Sequence, residues 1–284
     1  MSKSSQSNSI KDRPLGIFDS GVGGLSILRE IRHQLPAEAV LYLADQANVP
    51  YGPQPLDVVR GYSLEITEYL LERGSKLIVV ACNTASAASL QSLREAFPRI
   101  PFVGMEPAVK PAAELTRSKV VGVLATTATF QGELYASVVE RFTEGVRVLP
   151  RTVPGLVEQV EAGDLDGEKT RSILEDAIAP LLAQGADTLV LACTHYPFVI
   201  PLIREITGPS ILVIDPAPAI ARQVTRLLEK HDLATLSDQE GLVTYYTSGD
   251  VEGFRRQLQA FRMSPGEAIP LHWSGEGLTG KTNT

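Results

Sequence analysis

Hydrophobic and polar positions along this chain follow two rhythms that take turns. Short apolar runs at 15–18, 40–43, 77–81, 120–125, 146–149, 188–192, 211–214 and 243–246 are each followed by a stretch with helical apolar spacing. An unbroken apolar run of that length reads as a strand buried on both faces, and a spacing of three or four as one face of a helix. The first unit sets the pattern: a strand at 15–18, a glycine-containing turn at 19–24, and a helix at 25–35 with apolar residues at 25, 27, 28, 31 and 35. Further helices are predicted near 56–73, where Gly74 ends the pattern, and near 85–97, 133–142, 156–162, 168–183, 217–233 and 251–261, with another after Tyr196. Strands alternating with helices predict an α/β fold of parallel sheets joined by right-handed crossovers. Residues 102–107 read as a strand leading into a crossover, and the series that opens at 120 reads as a second domain. The polar, Ser-rich residues 1–13 predict a disordered N-terminal extension, and the Gly/Ser/Thr-rich residues 273–284 a flexible, frayed tail.

Composition narrows the function class. With 284 residues and a hydrophobic fraction of 44%, the chain has material for about two domains with cores of their own. No apolar run reaches the roughly 18 residues of a membrane span, and MSKSSQSNSIKDRP lacks the apolar core of a secretory signal. A cytoplasmic protein without membrane contact is expected. A net charge of −7 without a basic patch argues against nucleic acid and leaves a small molecule as the partner. Only four histidines occur, and the Cys-x-His at 193–195 has no companions at zinc-site spacing, so no metal is expected. In a reducing compartment the two cysteines, over a hundred residues apart, are expected to stay free thiols.

Candidate chemistry comes from one stretch that occurs twice. Residues 78–85 read IVVACNTA and 189–196 read LVLACTHY, and these contain both cysteines, Cys82 and Cys193. A lone Cys after an apolar strand is usually an inert buried thiol. Two at equivalent strand ends place a pair of thiols where parallel sheets deliver residues to a crevice. Each thiol is expected just before a helix, where free amides and the dipole favour a thiolate and can hold a carboxylate. Asn83, Thr84 and Thr194 offer polar partners beside them, and His195 a group able to exchange protons near neutral pH. The turn Asp19-Ser20-Gly21-Val22-Gly23-Gly24 invites a dinucleotide reading, which fails because Ser26 replaces the last glycine of that fingerprint and Asp19 would repel a pyrophosphate. No cofactor is expected.

Paired thiols facing one small molecule suit two-base racemisation. One thiolate removes the Cα proton from one face while the opposite thiol delivers a proton to the other. A free thiol pKa of about 8.5 keeps both forms within reach. The Cα proton is very weakly acidic, so such a site must bind the developing charge strongly and exclude water. Asp19 and His195 are the candidates to assist the two thiols.

Together GIFDSGVGGLSIL at 16–28, PYG at 50–52, ACNTAS at 81–86, EPAVKPA at 106–112 and ACTHYP at 192–197 resemble the glutamate racemases of the Asp/Glu racemase superfamily. The resemblance implies cofactor-independent interconversion of L- and D-glutamate, with D-glutamate supplied for peptidoglycan. It implies two similar doubly wound, flavodoxin-like parallel-sheet domains related by pseudo-twofold symmetry. The chain would return to the first domain after about residue 214, making 14–107 plus 215–272 one discontinuous domain and 108–214 the other. By the same resemblance, Cys82 deprotonates D-glutamate and Cys193 L-glutamate, while Asp19-Ser20, Tyr51-Gly52, Asn83-Thr84 and Thr194-His195 are the substrate-binding pairs. Asp45 matches an acidic residue of the loop before PYG, and Glu158 a further carboxylate near the site. Homodimerisation stays open. Two rivals stand beside this reading: a racemase of another acidic amino acid such as aspartate, and a non-catalytic ligand-binding protein of the same fold.

Overall fold

A computed structural model describes residues 9–280 apart from residues 107 and 276. Four strands come first, β1 (Leu15–Asp19), β2 (Val40–Ala44), β3 (Leu77–Val80) and β4 (Phe102–Gly104), with helices α1 (Leu25–Gln34), α2 (Leu56–Glu72) and α3 (Asn83–Ala96) between them. Next come α4 (Val109–Leu115), β5 (Val120–Ala125), α5 (Thr127–Gln131), α6 (Glu133–Phe142), β6 (Arg147–Thr152), α7 (Leu156–Glu161), α8 (Glu168–Ala183), β7 (Thr188–Ala192), α9 (Ile200–Thr207) and β8 (Leu212–Ile214). The chain closes with α10 (Ala217–Lys230), β9 (Val243–Thr247), α11 (Val251–Ala260), β10 (Gly266–Ser274) and β11 (Gly277–Gly280).

These strands form two sheets. The larger runs β11-β10-β9-β2-β1-β3-β4 and the smaller β6-β5-β7-β8. Every pairing is parallel except β10 with β11. Both sheets share one order, with the first strand flanked by the second on one side and the third on the other. Crossovers therefore leave in opposite directions at β1/β3 and at β5/β7. Such reversals open a crevice at the carboxyl ends of the strands, the usual ligand position in open α/β sheets. Cys82 follows β3 and Cys193 follows β7.

The period-2 side-chain alternation of a strand explains how the larger sheet is covered. Leu15, Ile17, Val40, Tyr42, Leu77 and Val79 face a layer containing Leu28 and Ile31 of α1 and Val224 and Leu228 of α10. Phe18, Leu43, Ile78 and Val80 face the other way, onto Val59, Ile66 and Leu70 of α2 and Leu93 of α3. Each such side chain contributes about 1.5–3 kcal/mol by leaving water. Burial on both faces is why these strands are unbroken apolar runs. Among the described residues no helix is long and apolar enough to cross a membrane.

Three expectations are corrected. The stretch from 273, expected to fray, continues as strand: β10 pairs with β9 and turns back into β11, which extends the larger sheet to Gly280. Its mixed sequence, GEAIPLHWSGEGLTG, lacks a clear period because an edge hairpin keeps few faces buried. At the other end, residues 10–12 form a 3-10 turn rather than a disordered lead-in. Lys11 Nζ binds Asp232 at 2.6 Å, and its carbonyl accepts from Lys76 Nζ at 2.5 Å. Residues 1–8 and 281–284 of the two predicted tails lie outside the described residues. Third, α3 begins at Asn83, two residues earlier than its apolar spacing suggests, because polar residues fill its first turn.

Lys76 also forms a buried ion pair with Glu38, 2.6 Å apart, and the amide of Thr235 donates to the other Glu38 oxygen. Removing one partner of such a pair leaves the other charge unmatched in the core. Lys76→Met is expected to lower stability by about 3–5 kcal/mol, measured by urea unfolding. A loss within experimental error would show that Glu38 finds compensation elsewhere.

Candidate active site

Cys82 caps the N-terminus of α3, its extended backbone turning the chain from β3 into the helix, and Sγ accepts from the amide of Ala85 at 3.4 Å. The hydroxyl of Ser20 lies 4.0 Å from the same sulfur. Sequence reasoning expected this helix start to favour the thiolate. Burial instead pushes the thiol pKa well above its ordinary value, and the charge of Asp19 adds to the rise, outweighing the amides of Ala85 and Ser20.

Cys193 has different company. A short 3-10 turn, Tyr196–Val199, follows it rather than a full helix. His195 Nδ1 lies 3.9 Å from Cys193 Sγ, and His195 Nε2 is 2.7 Å from Oε1 of Glu161 on α7. Burial pulls the imidazole pKa down, but the hydrogen bonds to Cys193 and Glu161 and the Glu161 charge outweigh it, and His195 ends well above its usual value. Burial likewise pushes Glu161 up, and the bond and charge of His195 reverse it to a net lowering. The two form an imidazolium–carboxylate pair behind Cys193.

Asp19, fully buried at the end of β1, joins the two sheets. One carboxylate oxygen accepts from the amides of Gly21 and Gly24, and the other from the hydroxyl of Thr194, 3.2 Å away. Burial raises its pKa against the opposing pull of His195 and those amides. The turn 20–24 presses directly on the smaller sheet. A Cβ at Gly23 would lie 2.5 Å from His195 Nδ1 and 2.6 Å from Thr194 Oγ1, so only glycine permits this approach.

Both cysteines open onto one cavity. Ser20, Tyr51, Gly52, Asn83, Thr84, Thr194 and His195 line it with them. Asp19 sits behind that wall through its contact with Thr194. Asn83 is buried, and its side-chain oxygen and nitrogen have no hydrogen-bond partner. Buried amides are almost always satisfied, so an orphaned one on a cavity wall marks a place built for a ligand. Asp45 does not line the cavity; it lies beneath it and accepts from the Tyr51 hydroxyl at 2.6 Å. Glu158 is exposed and lines an adjoining cleft instead. The carboxylate that reaches the site is Glu161, one turn further along the same helix. Both lie in GLVEQVEAG, and the spacing that shows a helix does not show which turn meets His195. Sequence reasoning also missed Pro50, Thr126 and Val157, which complete the lining. The hydroxyl of Thr126, which caps α5, lies 2.9 Å from that of Thr84; nothing in its own segment, ATTATF, points to a crevice.

A doubly wound α/β protein with two thiols on one buried cavity, one of them backed by an imidazole–carboxylate pair, has the architecture of an enzyme that moves protons on a small substrate. The chain belongs to the Asp/Glu/hydantoin racemase family, whose model matches residues 16–224. It is 52% identical over 260 residues to a glutamate racemase of Ectopseudomonas mendocina, covering 91% of this chain and 97% of that one. Among solved structures it resembles a glutamate racemase isoform of Bacillus anthracis, with a TM-score of 0.83 at 31% identity, covering 91% of this chain and 97% of the other. It also resembles the glutamate racemase of Escherichia coli in complex with L-glutamate and the activator UDP-MurNAc-Ala, with a TM-score of 0.78 at 32% identity, covering 91% and 98%.

The ion pair behind Cys193 makes stability depend on pH in a defined way. The folded pKa of His195 lies above its unfolded value of about 6.5, so its contribution is full below that pH and is lost as pH rises through the folded value. The folded pKa of Glu161 lies below its unfolded value of about 4.3, so its contribution is full above that pH and is lost as pH falls through the folded value. Glu161→Gln is expected to reduce stability by about 1–3 kcal/mol at pH 6, with the deficit shrinking toward alkaline pH. Thermal unfolding of both proteins across that range checks this. A deficit independent of pH would show that the pair is not ionised.

Proposed function

We propose that this protein interconverts L- and D-glutamate with two thiols as acid and base, and that it does so in the cytoplasm to supply D-glutamate for peptidoglycan. The observation that carries the reading is the pair of cysteines at matching strand ends, both open to one buried cavity. The relatives support glutamate as the substrate, since the similar Escherichia coli enzyme was crystallised with L-glutamate.

Substrate binding follows from the lining. The free amide of Asn83 can donate to a carboxylate and accept from an ammonium, the two groups every amino acid presents at Cα. The first turn of α3 adds the positive end of a 14-residue helix, which favours a bound carboxylate. Thr84, Thr126 and Thr194 supply hydroxyls around them.

Proton transfer follows from the two sides. With L-glutamate bound, the sulfur of Cys193 takes the Cα proton and the thiol of Cys82 gives its own to the opposite face. The roles reverse for D-glutamate. Each turnover exchanges the protonation states of the two sulfurs, so a return transfer restores the starting form. The raised pKa of Cys82 keeps it a proton donor in the first direction. The His195–Glu161 pair places a positive ring 3.9 Å from Cys193 Sγ, where it offsets negative charge on that sulfur. The cavity is small, about 10 Å³, the room of about one water molecule. Glutamate needs more space, so its two sides must part to admit it. The adjoining cleft of about 160 Å³, which shares Pro50, Gly52, Thr126 and Val157 with the cavity, is the natural path. On this reading 14–107 together with 215–280 is one domain, 108–214 the other, and the substrate lies between them.

Purified protein incubated with L-glutamate in D2O without added cofactor is expected to lose optical rotation and gain α-deuterium. Exchange with L-aspartate but not with glutamate would overturn the substrate assignment. Cys82→Ala and Cys193→Ala are each expected to lower kcat by about 10²–10⁴ in both directions while the fold persists. Normal turnover in either variant would sink the two-thiol route.

A further inference from the structure

The buried carboxylate of Asp45 does not itself line the cavity, yet four side chains from three segments converge on it. Oδ1 accepts from Trp273 Nε1 at 2.6 Å, from Ser248 Oγ at 2.6 Å and from Asn48 Nδ2 at 3.2 Å. Oδ2 accepts from Tyr51 Oη at 2.6 Å and from Asn48 Nδ2 at 3.0 Å. Charge-assisted bonds of this length are the strong ones, and a buried carboxylate needs them. Asn48 and Tyr51 belong to the loop that Asp45 opens. Ser248 follows β9, and Trp273 lies in β10, more than two hundred residues away in sequence.

Trp273 reaches the same loop a second way. Its ring centroid is 5.2 Å from that of Tyr62 on α2, and Tyr62 stacks on Tyr51 at 5.7 Å with the planes 29° apart. The indole therefore holds Tyr51 from both ends, through Asp45 at the hydroxyl and through Tyr62 at the ring face. Tyr51 is almost fully buried, and with Pro50 and Gly52 it forms one wall of the cavity. That wall is loop rather than helix or strand, so its position depends on what braces it.

We propose that Trp273 is a positioning residue for the reaction: its indole N–H on Asp45 and its ring on Tyr62 fix the 45–53 loop so that Tyr51 and Gly52 stand where the substrate requires them. The C-terminal hairpin, which lies beyond the 16–224 stretch matched to the family, thereby governs how firmly the site holds its ligand. The inference rests on the racemase reading.

Trp273 is the only tryptophan of the chain, so its emission reports this contact directly. Trp273→Phe keeps a ring and removes the N–H; Trp273→Leu removes both. In Trp273→Phe the KM for glutamate is expected to rise about tenfold with kcat little changed, the loss of one hydrogen bond to a charged group. Trp273→Leu should raise KM further. A purely structural role would lower the melting temperature and leave KM alone, so an unchanged KM in both variants overturns the proposal. In the otherwise native protein, Asp45→Asn is expected to shift the Trp273 emission maximum, because it removes the charge facing the indole N–H. Unchanged emission overturns the proposal whether or not glutamate is turned over. A native protein that leaves glutamate untouched fails the racemase reading instead, and the emission shift then decides the tie on its own.

Discussion

Glu161 stands where the two sheets meet, and its carboxylate is shared between them. Oε1 accepts from the amide of Val22 in the turn after β1 and from the ring of His195 after β7, each at 2.7 Å, while Oε2 accepts from Gln46 at 3.1 Å. A carboxylate this poorly solvated is tolerated only when donors and an opposite charge surround it. The donors come from both sheets, so satisfying the charge requires the sheets to sit close together. Close approach in turn requires a turn without side chains, which Gly21 and Gly23 provide: a Cβ at either would collide with Glu161 or His195. The cavity between the two cysteines is what this seam encloses.

Within that seam the two halves are alike in topology and unlike in electrostatics. Each sheet places a thiol at its point of strand reversal, because the same strand order occurs in both. Cys82 lies in a dry corner beside the buried Asp19, which disfavours negative charge on sulfur. Cys193 lies beside a positive ring backed by its own carboxylate. For mirror-image substrates, such a pair suits one thiol that starts as donor and one whose charge is compensated. Asp19 reaches across to Thr194, so the Cys82 side and the Cys193 side are mechanically joined.

Much of the site was legible in the sequence because its groups are set locally. Cys82, Asn83 and Thr84 are consecutive residues at one strand end, and Cys193, Thr194 and His195 at another; once the strands are recognised, both trios must emerge at carboxyl ends. Glu161 was not legible. Glu158 and Glu161 share a helix, and only the packing of α7 against the turn after β7 decides which one faces His195. Trp273 was hidden for a related reason. Its partner Asp45 lies over two hundred residues away, and the hairpin that brings them together has too little burial to print a period on its sequence.

The chain by itself determined the strand and helix rhythm and the duplicated Ala-Cys strand ends, since each depends on residues near one another in sequence. Only the tertiary structure decided that both thiols open on one cavity and that burial and the charge of Asp19 raise the pKa of Cys82. It also decided that Glu161 rather than Glu158 charges His195, and that Trp273 braces the loop of Tyr51. These depend on desolvation and on contacts between distant segments. Both are properties of packing, which the order of residues constrains but does not display.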